Sequence, residues 1–162
     1  MNKSRKLGLI ATGCLLALVP LLMAAESETT GKELQKITGK TLLAVDELKW
    51  TPLAGIEGAQ QAAVWGDPAK EMHRVFFKFP VGLKAPLHTH TFGDRGVIIS
   101  GTLSLAVDGA PAKKLPPGSY FSLAAGTKHV TAVEGDVPCV FYIEREGPFD
   151  VVMAEAAGAN KK

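Results

Sequence analysis

Two histidines sit two positions apart in His88-Thr89-His90. Asp94 follows four positions later, and His129 closes a second glycine-punctuated segment. On an extended chain successive side chains alternate faces, so His88 and His90 project in parallel toward one point while Thr89 points away. Parallel imidazoles suit the coordination of a single ion. A carboxylate and a third imidazole arriving from neighbouring strands would complete the set His88, His90, Asp94 and His129. Those donors suit one divalent transition metal per chain: Fe(II), Mn(II), Zn(II), Ni(II) or Cu(II). The remaining histidine of this part of the chain, His73, shares a face with Val75, Phe77 and Phe79 if Met72 to Phe79 is a strand. It reads as a rim or buried structural residue, with a role supporting the site as the alternative.

The elements that must position these residues are short. Ala62 to Trp65, Met72 to Phe79, Gly96 to Ser100, Thr102 to Val107, Tyr120 to Leu123, His129 to Val133 and Cys139 to Glu144 mix β-branched, aromatic and polar residues as strands do. Gly82 to Pro86 breaks this pattern, and an extended path resumes from His88 to Phe92. Asp108-Gly109 between alternating apolar runs predicts a hairpin whose two central residues take positive φ. Leu42, Leu43, Val45, Leu48 and Trp50 supply apolar anchors at the start of the ordered chain, and the same stretch offers itself to a neighbour's sheet. Many short strands with Gly/Pro turns indicate an all-β sandwich or barrel, and no segment after Leu48 keeps a helical period.

Ahead of that domain, Lys3, Arg5 and Lys6 precede an apolar run from Leu7 to Met23 and a small-residue exit at Ala24-Ala25. This is the pattern of a secretory signal peptide, residues 1–25, and it implies an exported protein, periplasmic or secreted. Residues 26–41 are polar and read as a flexible arm, 42–150 as one domain, and 151–162 as a disordered, alanine-rich tail. Of 18 basic and 16 acidic residues, three bases belong to the leader, so the mature chain is close to neutral. Nothing in its charge favours nucleic acid, or a membrane after cleavage. Of two cysteines one leaves with the leader. Cys139 then has no partner within the chain and reads as a small core residue in an apolar run.

At this level the residues resemble a known family. Gly82, five residues, His88-Thr89-His90, three residues, Asp94, six residues and Gly101 are similar to the first signature of the cupins. Gly118, five residues, Ala124-Ala125-Gly126, two residues and His129 are similar to the second. The chain looks most like the small exported single-domain cupins of the ChrR-like type. The resemblance implies an RmlC-like double-stranded β-helix, a jelly-roll barrel, with the metal held at His88, His90, His129 and the acidic position. It departs where the usual glutamate is Asp94, the proline of the second block is Ala124 and its final asparagine is Val133. Asp94 is one methylene shorter. It reaches the ion if the flanking Gly93 and Gly96 allow a local kink, or stays in a loop bonded to backbone amides.

The resemblance implies a metal-dependent enzyme of the dioxygenase type acting on a small organic substrate, the diketone-cleaving cupins among its models. With Zn(II) or Mn(II) the chemistry would be isomerisation or elimination. The alternative is a non-catalytic cupin module that binds a metal or ligand for sensing. Arg95 could hold an anionic substrate, though a solvent-facing position suits it as well. There is no Gly-x-Ser-x-Gly, phosphate loop or haem-attachment motif to compete. Exposed edge strands and analogy make a homodimer the expected assembly.

Overall fold

The computed structural model describes residues 41–155. The expected signal peptide, the arm as far as residue 40 and the tail from residue 156 lie outside the described residues. Within them a 3-10 turn at Val45–Glu47 leads into eleven strands: β1 (Thr51–Pro52), β2 (Gln60–Trp65), β3 (His73–Phe79), β4 (Lys84–Thr89), β5 (Asp94–Ser100), β6 (Thr102–Val107), β7 (Lys113–Leu115), β8 (Tyr120–Leu123), β9 (His129–Glu134), β10 (Cys139–Arg145) and β11 (Val152–Met153).

They form two antiparallel sheets. The first has the order β1-β2-β3-β10-β5-β8, the second β11-β4-β9-β6-β7. Alternation sets the inner faces: β3 and β10 bury every second residue along their whole length. Val75, Phe77 and Phe79 meet Phe141, Ile143 and Ile98 from the first sheet and Leu103, Leu105, Leu115 and Val133 from the second. Phe77, Phe79 and Phe141 pack with ring centroids 4.9–5.7 Å apart. Cys139 is wholly buried in this core, and burial pushes its thiol up to about 11, so it behaves as an inert apolar side chain.

The Asp108-Gly109 hairpin takes the expected form, with φ of 49° and 78°. Gly96 has a different necessity. A Cβ there would lie 2.6 Å from the Tyr142 carbonyl oxygen and 2.8 Å from the Phe121 ring. Since β10 is paired on both sides, its backbone cannot retreat. Gly96→Ala is expected to destabilise the domain by about 1–3 kcal/mol, read as a lowered urea midpoint at unchanged slope.

Five elements differ from the sequence expectation. The strand expected only from His88 starts at Lys84, and it accommodates Pro86 because the β4–β9 register shifts between Ala85 and His88, where no ladder bond from residue 86 is needed. Three short strands were not anticipated. Thr51–Pro52 pairs with β2. Lys113–Leu115 pairs with β6. Val152–Met153, in the stretch assigned to the tail, pairs with Thr89 and His88 of β4. Finally, the apolar residues Leu42, Leu43 and Val45 do not anchor the domain. They are exposed, because the chain there makes a 3-10 turn before its first strand pairing and never reaches the inner face. Leu48 and Trp50 are half-buried, Trp50 under the Lys78 ammonium at 4.5 Å.

Candidate metal centre

One end of the barrel interior is polar. In the second sheet His88 and His129 are direct cross-strand partners of β4 and β9. His90 stands one residue beyond the end of β4, on the same face as His88. The ring centroids are 4.2 Å apart for His88–His129, 5.0 Å for His88–His90 and 5.2 Å for His90–His129. One ligating nitrogen from each ring can be chosen so that all three lie within 4.8 Å of one another.

The backbone decides which nitrogen that is. His88 Nδ1 lies 2.7 Å from the Pro86 carbonyl oxygen, His129 Nδ1 2.9 Å from that of Thr127, and His90 Nδ1 2.5 Å from that of Asp150. A carbonyl only accepts, so each Nδ1 carries the hydrogen and each Nε2 keeps a free lone pair. Three imidazoles locked in the same tautomer with their lone pairs in one small space are a ligand set, and the carbonyl bonds raise their donor strength. The local structure serves the same end. The bulge at Pro86 presents its carbonyl to the ring two residues on, and the turn at Thr127 does the same for His129.

Burial, then the nearby positive charge of Arg145, drives the His90 pKa down to about 3. Burial also lowers those of His129 and His73. Neutral imidazole is the form that binds metal. The linkage follows in the metal-free protein. With folded values below the unfolded one of about 6.5, the unfolded chain binds more protons as pH falls. Stability contributed by these groups is intact above that pH and is lost on acidification toward the folded values. Burial raises the Asp94 carboxyl, which opposes the trend only at the acidic end. The unfolding free energy of metal-free protein is expected to fall steadily between pH 7 and 5, by up to about 1.4 kcal/mol per pH unit for each such histidine, read as a falling melting temperature. A flat profile would contradict it.

The first sheet contributes a second polar row. Arg145 on β10 is in register with His73 on β3 and with Asp94 on β5. Arg145 Nε and Nη2 each donate to one Asp94 oxygen at 2.6 Å, a bidentate pair in which both residues are buried. Phe149 lies against the guanidinium at 4.7 Å, and Arg145 Nη1 makes a long 3.5 Å contact with the Asp150 carbonyl. Asp94 therefore stands outside the three-imidazole cluster, with its Oδ2 3.9 Å from His90 Nε2. His73 is fully buried, as its strand parity indicated. Its Nδ1 meets the Glu71 carbonyl at 3.0 Å, and its Nε2 has no partner.

Arg145 and Asp150 are the site residues that sequence reasoning passed over. Arg145 was hidden at the end of an apolar strand pattern, where a terminal charge normally reads as solvated. Arg95, the cation that follows the motif in sequence, points outward and pairs with the exposed Glu146 at 2.6 Å. Asp150 acts through its carbonyl on His90, while its carboxylate accepts from the Thr91 amide and hydroxyl.

Between the two rows is a cavity of about 50 Å³. Its polar lining is the three histidines, Asp94, Arg145 and Thr131, and the rest is apolar, including Phe121, Leu123, Phe149 and Val151. Space on this scale holds an ion with a few small ligands.

The model of the family described as Domain of unknown function (DUF4437) matches residues 41–162. The chain belongs to this family. Its fold is that of a cupin, the RmlC-like double-stranded β-helix, as solved structures show. KdgF from Halomonas sp. aligns at TM-score 0.55 and 20% identity over 69% of this chain and 96% of its own. The polyketide cyclase RemF from Streptomyces resistomycificus aligns at TM-score 0.61 and 16% identity, covering 74% and 89% respectively. DMSP lyase DddQ from Ruegeria pomeroyi aligns at TM-score 0.54 and 19% identity, covering 68% and 63%. At these identities the likeness establishes the cupin fold. No curated protein matches the sequence. Enzymes thus occur among the cupin's structural neighbours, and the cupin itself carries a histidine triad able to hold a metal ion.

Proposed function

We propose that this cupin is an exported metal-dependent enzyme, with one divalent transition metal ion held by His88, His90 and His129 and a small organic molecule as substrate. The observation that carries the reading is the set of three Nε2 lone pairs, fixed by three backbone carbonyls, at the wall of an otherwise largely apolar cavity. Three imidazoles do not saturate an ion of this class, which commonly takes up to six donors, so positions stay open to ligands from solution. A closed set of protein donors would instead indicate a structural staple or a sensing module. When bound, the ion supplies Lewis acidity and, for Fe(II), redox chemistry with O₂. The chain's own residues orient the triad, exclude water with Phe121, Leu123 and Phe149, and set the charge beside it through Asp94 and Arg145.

Of the two reaction classes, oxygenation is the reading that the cupin signature implies. A second, cyclisation or elimination without O₂, is favoured by the cyclase and lyases among the structural neighbours. The test is elemental analysis of protein purified from its own compartment, followed by an oxygen-electrode screen with small diketones and thiols. One ion per chain with substrate-dependent O₂ uptake supports the oxygenase. Substrate turnover that proceeds equally without air supports the second class. Protein without transition metal, and unable to take it up, refutes both.

A further inference from the structure

Asp94 occupies the acidic position of the motif, yet the structure commits it elsewhere. Both carboxylate oxygens accept from Arg145, which is itself 1% exposed, pressed against Phe149 and bracketed in the strand register by His73 and Asp94. Each oxygen keeps a second lone pair, but the carboxylate lies outside the group of three mutually close imidazole donors, its Oδ2 3.9 Å from His90 Nε2. Drawing it in to an ion at the triad would pull it from this fork and strand a buried guanidinium. His73 could not take over, since its unpartnered Nε2 offers at most a neutral lone pair and no negative charge. The Asp150 carboxylate could not either, as the Thr91 amide and hydroxyl hold it.

We infer that Arg145 holds Asp94 off the metal, so that the ion has three neutral protein ligands and takes its anionic ligand from solution. The inference rests on the metal-binding reading above and narrows it to a substrate class. Arg145 and Asp94 cancel each other's charge and the three imidazoles are neutral, which leaves the full charge of the ion uncompensated among apolar walls. Low polarity strengthens its attraction for an anion that can reach it. The cavity admits a small head group, and Phe121, Leu123 and Val151 offer contact to a short hydrocarbon part. The ligand is a small organic anion bound through oxygen, a carboxylate or an enolate. Arg145 is in this sense a positioning residue, acting through Asp94 on the ion's charge and open positions.

The test uses Co(II), whose visible absorption reports its ligands, on the mature chain. Asp94→Leu combined with Arg145→Met removes the carboxylate without leaving an unpaired guanidinium beside the ion, and is expected to bind Co(II) within a few-fold of the unaltered protein. His129→Ala is expected to lose more than the roughly 10–100-fold that attaches to removing a supporting hydrogen bond. A loss in the double variant as large as that of His129→Ala would overturn the inference, because it would make Asp94 a ligand. Should the double variant fold poorly, the Co(II) spectrum of the unaltered protein decides, since a fourth, carboxylate donor from the chain would leave it unmoved by added anions.

A second arm needs no variant. The Co(II) spectrum of the unaltered protein should shift saturably with 2-oxobutanoate if a carboxylate is preferred, or with acetylacetone if an enolate is. It should stay unchanged with uncharged butanone. No response to either anion, or an equal response to butanone, would overturn the inference while leaving the metal site standing. Failure of the unaltered protein to bind Co(II) would remove the metal-binding reading, and the inference with it.

Discussion

Replacing His129 with alanine is expected to abolish metal binding and, with it, the stabilisation that the ion gives the fold. His129 is the ligand that the second sheet brings to the His88–His90 pair from a different strand. It pairs directly with His88 across the sheet, lies within 5.2 Å of His90 ring to ring, and is held by the Thr127 carbonyl on a turn of its own. An ion that binds the folded chain and not the unfolded one adds about 2.7 kcal/mol at a free concentration one hundred times its dissociation constant. For a domain of this size that corresponds to a rise in melting temperature on the order of 10 °C. The rise should be present in the unaltered protein, absent in His129→Ala and in His88→Ala, and retained in Thr89→Ala. Thr89 shares the strand and has the wrong parity for the cluster, so it controls for disturbance of β4. Elemental analysis of the same samples gives the second readout, one ion per chain against none. Equal metal-induced shifts in all variants would place the ion elsewhere and dismiss the triad.

The triad was legible in the sequence because its geometry is mostly local. His88 and His90 share a face through period-two alternation, and the tautomers of His88 and His129 are set within two residues, by Pro86 and Thr127. The barrel was legible from the same alternation in β3, β5, β6, β9 and β10 and from its glycine turns. What escaped was decided by pairing across the fold. Arg145 meets Asp94 from 51 positions away, and only the insertion of β10 between β3 and β5 brings them into register. The carbonyl that fixes His90 lies 60 positions off, at Asp150. Composition at Val152–Met153 gives no hint of a strand, because two residues become one only when β4 offers an edge. The exposed Leu42, Leu43 and Val45 show the converse: hydrophobicity marks where a core residue is permitted, and the surrounding topology decides whether one is used.

The same dependence on distant pairing makes Arg145 the most sensitive residue outside the triad. Arg145→Met should cost about 3–5 kcal/mol, since it leaves the Asp94 carboxylate buried without its partner. That value would reflect the stranded charge more than the worth of the ion pair, because desolvation of both groups already offsets most of their attraction. A double-mutant cycle separates the two. Asp94→Leu with Arg145→Met removes both charges, and its stability should recover to within about 1–2 kcal/mol of the unaltered domain, well short of the sum of the single changes. Urea unfolding at pH 7 gives each corner of the cycle. Simple additivity would show that the guanidinium and the carboxylate stabilise the barrel independently. Recovery would show that the two groups act as a unit and that the barrel stands nearly as well without it, so stability does not account for the pair.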